Sequence, residues 1–343
     1  MTDSMENDLT NMRNYGLDVL RILACLMVVT MHAPLPGSDS DGIFLSALSY
    51  LTAPGIGLFF MISGALLLPV KTDTRTFLKR RFSKIAIPTL IWSVLFLGIT
   101  ALTTEESFSW KALLSIPFSA QGNPTFWFLY TLMGLYLLAP VLSQWLNAAP
   151  RRELEFYLLL WGISLCYPIL GLIFDINTST TGILYHLTGY AGYFVLGHYL
   201  MKYPDRISYK WLIPAVIFAL VTPVVCKVKG LPVDFYSVFW YLSIFVVIQC
   251  VFLWKLIITL VPEQGWPSAN RMISMISVSS FGIYLVHYFI IRSLLWNWSP
   301  ILAVHPYALQ VFVIAVTAFI LSFGATFLIG KLPGAKYLIG YRL

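Results

Sequence analysis

The chain has 343 residues, 58% hydrophobic and only 11% charged, with 22 Lys and Arg against 15 Asp and Glu and a formal net charge of +7. Soluble domains are about 25% charged, so this chain lacks the polar surface of a soluble globular protein. A membrane-spanning helix takes roughly 20 apolar residues, and the apolar content suffices for about ten. The basic residues sit between apolar runs rather than in one patch, so membrane orientation accounts for them and a nucleic-acid surface is not needed.

The polar start, MTDSMENDLTNMRNYG, has no basic stretch of the kind that opens a cleavable signal, so the first apolar run reads as a retained span. Helices are predicted near 17–34, 44–69, 85–101, 125–146, 156–174, 183–201, 211–226, 235–254, 273–292 and 306–330. Gly42 to Val70, Ile85 to Thr104, Phe156 to Phe174, Phe235 to Trp254 and Met272 to Ile291 contain no charged residue. Only helices satisfy their own backbone hydrogen bonds in lipid without forming a closed barrel. The predicted fold is all-α: a polytopic bundle of about ten transmembrane helices over 17–330, between tails at 1–16 and 331–343.

Alternate connections at 1–16, 71–84, 147–155, 202–210, 262–272 and 331–343 hold 16 of the 22 basic residues, whereas the other set holds only Lys111, Lys227 and Lys229. That asymmetry predicts cytoplasmic placement of the first set and of both termini. The four cysteines, Cys25, Cys166, Cys226 and Cys250, fall in apolar segments without ligand-like spacing, and no metal site is predicted.

A charge inside a span costs at least about 2.5–3.5 kcal/mol, so the first helix stands out. Asp18 and Arg21 are three residues apart and share a face. His32 follows Arg21 by eleven residues, about 16 Å along the helix axis and on the same face. Two of these groups would also serve as interfacial anchors, and His32 as a helix end before Pro34. The segment KTDTRTFLKRRFSK (71–84) carries six cations in 14 residues, suited to orientation or to a polyanionic ligand. His287 lies deep in the ninth predicted span, and two membrane histidines favour proton handling.

Ser63-Gly64 allows close helix approach, and the aromatic run from Phe126, with Trp127 and Tyr130, fits a membrane interface. His186, His198 and His305 receive no role. Glu105 and Glu106 are the paired carboxylates of the external loops. Signatures of soluble enzymes (GxSxG, the Walker loop, HExxH, CxxC) are missing from the sequence.

The run RNYGLDVLRILACLMVVTMH resembles the opening of the acyltransferase 3 family of integral membrane acyltransferases. The resemblance continues through FFMISGALLL, LKRRFSKIAIPTLIW, FWFLYTLMGLYLLAPVL, SSFGIYLVH and KLPGAKYLIG, in family order over nearly the whole chain. One departure is Ile22, where the family commonly has glycine after DxLR. The sequence is most similar to the stand-alone bacterial O-acetyltransferases of surface polysaccharides, which implies a multi-pass protein of the inner (cytoplasmic) membrane. The resemblance implies transfer of an acetyl or other short acyl group from cytosolic acyl-CoA, with acetyl-CoA as donor, to a hydroxyl of a lipid-linked sugar or surface polysaccharide. It marks Arg21 and His32 as required, and Arg80, Arg81 and Lys84 as contacts of the CoA phosphates.

Chemistry fits that reading. An alcohol is a poor nucleophile at neutral pH, and neutral His32 can take its proton and return it to the leaving thiolate. Asp18 would orient Arg21, and Arg21 would hold the donor or offset developing negative charge. Open alternatives are an acyl-serine relay at Ser63 and a second proton carrier at His287, with Trp127 and Tyr130 as acceptor-side aromatics. The rival class is a transporter or flippase of a lipid-linked sugar or small solute; a membrane assembly or sensory subunit has less behind it. Thioester cleavage separates the enzyme from both.

Overall fold

The computed structural model describes residues 13–36, 42–103, 109–120, 123–174 and 182–342. Glu105 and Glu106 lie outside the described residues, as does the N-terminal tail up to residue 12. Among the described residues every element is helical and none is a strand. In chain order these are α1 (Tyr15–Met31), α2 (Ile43–Thr52), α3 (Pro54–Leu67), α4 (Thr74–Thr103), α5 (Trp110–Ser115), α6 (Trp127–Ala148), α7 (Arg151–Ser164) and α8 (Tyr167–Phe174). They continue with α9 (Ala191–Lys202), α10 (Tyr209–Val228), α11 (Phe235–Val238), α12 (Ile244–Leu260), α13 (Asn270–Ser293), α14 (Ser299–Leu302), α15 (Tyr307–Gly330) and α16 (Ala335–Ile339).

Among the described residues, six segments are long and apolar enough to cross a membrane: Ile43–Leu67, Thr74–Leu102, Pro124–Ala148, Tyr209–Val228, Asn270–Asn297 and Tyr307–Gly330. The pair α7 and α8, bent by 46°, makes a seventh if taken as one span. Length and composition thus give six or seven crossings where the sequence reading expects about ten. The shortfall has local causes. Pro168, second in α8, has no N–H to donate back to the Ser164 carbonyl, and the span breaks between Ser164 and Tyr167. Gly189 at φ 110° delays α9 to Ala191 and leaves it 12 residues long. The expected 235–254 helix splits, with Ser243 capping α12 by accepting from the Phe245 N–H. α1 itself has 17 residues.

The largest departure from expectation concerns 71–84. It is not a loop: α4 starts at Thr74, so Arg80, Arg81 and Lys84 stand on one helix continuous with the third predicted span. Asp73 supplies the start, accepting from the Thr76 N–H at 2.9 Å. The backbone and hydroxyl hydrogen bonds from Thr76 hold the Asp73 carboxyl below its usual range. Phe77, buried on the inner face of this basic turn, anchors it to the bundle. Residues 331–342, expected as a tail, fold back: Ala335 and Ile339 of α16 are fully buried, and the Trp92 indole donates to the Leu338 carbonyl at 2.9 Å.

Helix directions follow from paired contacts. α1 and α13 run parallel, since Asp18 meets Ser277, Cys25 meets Ser280 and His32 meets His287. α1 and α12 are antiparallel, with Gly16 against Ile258 and Met31 against Tyr241. α4 and α6 are antiparallel, Phe77 facing Tyr136 and Phe96 facing Phe126. α3 and α9 run parallel in register, Phe60 beside Tyr190, Gly64 beside Phe194 and Leu68 beside His198.

Lipid is as apolar as a leucine core, so close packing rather than expulsion from water joins helices here. The α3–α9 crossing shows the consequence. A Cβ on Gly64 would lie 1.7 Å from the Phe194 carbonyl oxygen, and one on Gly197 would lie 1.9 Å from the Met61 carbonyl oxygen. Gly64→Ala or Gly197→Ala is expected to cost about 3 kcal/mol or more by forcing backbones apart. Gly98→Ala, with open space at its Cβ, is expected to stay within about 1 kcal/mol of wild type. Thermal unfolding of the purified protein, followed by size-exclusion chromatography in detergent, checks both.

Candidate active site

α1 begins where Asn14 accepts from the Leu17 N–H at 3.0 Å. Asp18 follows in the first turn, where the helix dipole favours a carboxylate. It is only 6% exposed, and a buried charge needs several partners. Arg13 donates to Asp18 Oδ2, and the Ser277 hydroxyl donates to Asp18 Oδ1 at 2.6 Å. Arg13 also donates to the Ser274 carbonyl at 3.2 Å, tying the same end to α13. Arg21 Nη1 stands 4.0 Å from Asp18 Oδ1 but donates to Ser277 Oγ at 3.4 Å. Asp18 therefore holds Arg21 chiefly through Ser277, and its own closest cation is Arg13.

Arg21 faces a cavity of about 350 Å³ between α1, α3, α4, α6, α13 and the C-terminal segment. Ser63, Arg81, Lys84, Tyr136, Ser277 and Tyr284 share its lining, as do Gly340 and Tyr341. Three cations and several hydroxyls thus meet in a chamber whose remaining wall is largely aromatic and aliphatic. Such a lining suits an elongated anion with an apolar arm.

At the other end of α1, His32 and the fully buried His287 are paired, their ring centroids 5.2 Å apart. His287 Nδ1 lies 2.7 Å from the Tyr284 carbonyl oxygen and His32 Nδ1 lies 2.8 Å from the Val28 carbonyl oxygen. A carbonyl oxygen only accepts, so Nδ1 of each ring carries its hydrogen. The Nε2 lone pair of His287 then accepts from His32 Nδ1 at 3.4 Å. His287, accepting at Nε2, is neutral in this pattern, and a neutral His32 would carry its lone pair on Nε2. Tyr288 packs on His32 with centroids 5.6 Å apart, and the Trp296 indole donates to the Ala33 carbonyl at 3.1 Å.

A family model described as an acyltransferase domain matches residues 14–330, from the cap of α1 to the end of α15. The chain belongs to the acyltransferase 3 family. No match was found among curated proteins or among solved structures. With its apolar helices, the membership makes this chain a multi-pass membrane acyltransferase.

In this acyltransferase, four residues named from sequence converge on one cavity: Arg21, Ser63, Arg81 and Lys84. Ser63 does so with its hydroxyl already donated to the Phe59 carbonyl at 2.8 Å. Asp18 lies behind Arg21, while His32 and His287 lie beyond Tyr284, outside the cavity lining. Arg80 turns away into a second cavity of about 470 Å³ that also includes Arg81. Trp127 joins Tyr190 and Tyr241 in an aromatic cluster at centroid distances of 5.4 and 5.3 Å. Its neighbour Tyr241 reaches Met31, next to His32. Tyr130 is elsewhere, donating to the Ile116 carbonyl at 2.5 Å.

Sequence reasoning missed Arg13, Ser277, Tyr284 and Tyr341. The spacing Ser274, Ser277 and Ser280, on one face of an otherwise apolar helix, was the available signal for Ser277. Removing its hydroxyl strands two charged neighbours. Ser277→Ala is expected to lower stability by about 1–3 kcal/mol. Combining it with Asp18→Asn is expected to cost less than the sum of the two, because both changes remove the same interaction. A double-mutant cycle on thermal or denaturant unfolding measures this.

Proposed function

We propose that the protein moves an acetyl or other short acyl group from acyl-CoA to a hydroxyl of a lipid-linked sugar or surface polysaccharide. The observation that carries the reading is the juxtaposition along one helix: a cation-lined cavity at Arg21 and a neutral histidine pair about 16 Å further on, by helical rise. The cavity offers Arg21, Arg81 and Lys84 to the anionic part of the donor, from which the acyl-bearing arm would extend toward His32. The His pair offers a base to the acceptor.

In the proposed reaction the acceptor oxygen attacks the thioester carbonyl carbon while His32 Nε2 takes the hydroxyl proton. The imidazolium so formed keeps its Nδ1–H directed at the Val28 carbonyl and His287 Nε2. Arg21, about 16 Å away along α1, holds the anionic part of the donor and not the reacting carbonyl. Collapse breaks the C–S bond, the proton passes from His32 to the thiolate, and the products are free CoA and the O-acyl ester. Direct transfer is favoured over an acyl-serine, because the Ser63 hydroxyl is committed to the Phe59 carbonyl and neither histidine of the pair is bonded to it. The aromatic cluster at Trp127, near the outer end of α1, gives the acceptor sugar a face to lie on.

The proposed topology is ten crossings with both termini in the cytoplasm of a bacterial inner membrane. Three things support it: the asymmetry of basic residues, the parallel course of the first and ninth predicted helices, and the antiparallel course of the first and eighth. Arg13, Arg21, Arg81 and Lys84 all belong to the end where cytosolic acyl-CoA would arrive.

His32→Ala is expected to lower acyl transfer by about 10³-fold, with the protein still eluting as a folded species. Thiol release from acetyl-CoA by the purified protein measures the first half-reaction. Mass spectrometry of surface and lipid-linked glycans, from cells with wild type, a deletion or His32→Ala, measures the product. Acetylated glycan in wild type alone supports the reading. Normal acetylation by a folded His32→Ala protein would sink it, and solute movement without thioester cleavage would favour a transporter. His287→Asn is expected to reduce the rate by about 10- to 100-fold, because the imidazolium loses an acceptor while His32 keeps its own base.

A further inference from the structure

His198 is buried on α9, 7% exposed, and was left without a role by the sequence. Its Nδ1 lies 3.0 Å from the Leu68 carbonyl oxygen, so Nδ1 carries the hydrogen and donates there. The other ring nitrogen, Nε2, is buried and has no hydrogen-bond partner among the described residues. A buried acceptor of this kind costs free energy until something donates to it.

His198 lines the second cavity, of about 470 Å³, together with Lys71, Arg80, Arg81, Lys202 and Phe77. Four cations attract phosphates. The Nε2 lone pair does the opposite: it repels an anion and asks for an N–H or O–H. A ligand that satisfies both carries phosphate groups and, a few ångströms away, a hydrogen-bond donor on an otherwise flat or apolar group. Inorganic phosphate or a lipid headgroup can bring charge and an O–H or N–H donor, but neither carries that donor on a flat ring that could lie against Phe77. A purine nucleotide with an exocyclic amine meets both, and Phe77 adds an aromatic surface.

Arg81 sets the relation to the first cavity, because it lines both chambers. A donor with its phosphates at Arg81 can place a nucleotide on one side and an acyl-bearing arm on the other, toward Arg21. The two walls of the second cavity are also rigidly joined. The α3–α9 crossing at Gly64 and Gly197 puts His198 against Leu68, and the Val70 N–H donates to Ser143 Oγ at 2.8 Å just beyond.

Resting on the acyl-CoA reading above, we infer that this second cavity holds the adenine nucleotide of the donor, with His198 Nε2 accepting from the adenine amine and Lys71 and Lys202 joining Arg80 and Arg81 around the phosphates.

Binding of adenosine 3′,5′-bisphosphate to the purified full-length protein tests this, against its hypoxanthine counterpart, in which a carbonyl replaces the amine. Wild type is expected to bind the adenine compound about tenfold more tightly. His198→Phe is expected to erase that preference and to raise KM for acetyl-CoA about tenfold relative to KM for acetyl-pantetheine. His198→Gln, which retains an acceptor near the same place, is expected to keep most of the preference. Equal binding of the two nucleotides by wild type overturns the assignment without needing any variant. So does a His198→Phe protein that raises both KM values equally. Wild type that cleaves acetyl-CoA without preferring adenine removes this inference alone. Wild type that neither cleaves acetyl-CoA nor binds the bisphosphate removes the donor reading with it.

Discussion

A carboxylate buried in a membrane helix must be compensated on the spot, and Asp18 is the point from which the arrangement of α1 follows. Its charge is met by Arg13 from its own chain start and by Ser277 from α13. Those contacts fix the rotation and height of α1 against α13. Because the two helices run parallel, the same register carries upward to Cys25 at Ser280 and then to His32 at His287. Three contacts along one seam thus position the cationic end and the histidine end together. The geometry of the histidine pair is a consequence of where a carboxylate one span-length away finds its partners.

The sequence exposed this line of residues readily, because charge in an apolar run is costly and therefore conspicuous. Asp18, Arg21, His32 and His287 stood out for that reason, and so did Arg81 and Lys84 as part of a dense basic segment. Partners were harder to see. Arg13 looked like one more orienting charge, and Ser277 was one serine among several. Pairing Arg21 with Asp18 from their spacing was half right: they share a face, yet Ser277 stands between them with the shorter bonds. Helix existence was legible from the charge-free runs. Helix length was not, since it turned on single residues such as Asp73, Pro168 and Gly189.

Folding of 74–84 as helix changes what that segment can do. On a loop, six cations would act as a diffuse field. On α4, residues 80 and 81 are about 100° apart around the axis, so Arg80 and Arg81 project differently. Lys84 returns to the face of Arg81 one turn later. The result is a division, with Arg80 in one cavity, Lys84 in the other, and Arg81 shared. The C-terminal segment adds to the same division. Gly340, at φ 77°, lies where a Cβ would be 2.7 Å from the Lys84 carbonyl oxygen, which brings Tyr341 to the cavity wall and its hydroxyl to Ser279 at 2.8 Å. A segment that hydropathy alone would discard as a tail closes the chamber.

The choice of a histidine as the partner of His32 follows from the surrounding medium. In water-soluble hydrolases a carboxylate commonly orients the catalytic histidine and supports its charged form. Placed at His287, fully buried among Ile283, Tyr284 and Val286, a carboxylate would be a permanent buried charge. That is the kind of burden that membrane segments accept only with compensation. A neutral imidazole carries no resting charge, keeps its Nδ1–H satisfied by the Tyr284 carbonyl, and still presents a lone pair to His32. It offers weaker support to the imidazolium than a carboxylate would. In exchange, a neutral pair leaves the apolar end of the bundle uncharged at rest, and in the proposed reaction charge would develop there only while an acceptor proton is in transit. The permanent charges are kept at the opposite end of α1, where Asp18, Arg13 and Arg21 compensate one another and where the proposed anionic donor would meet them.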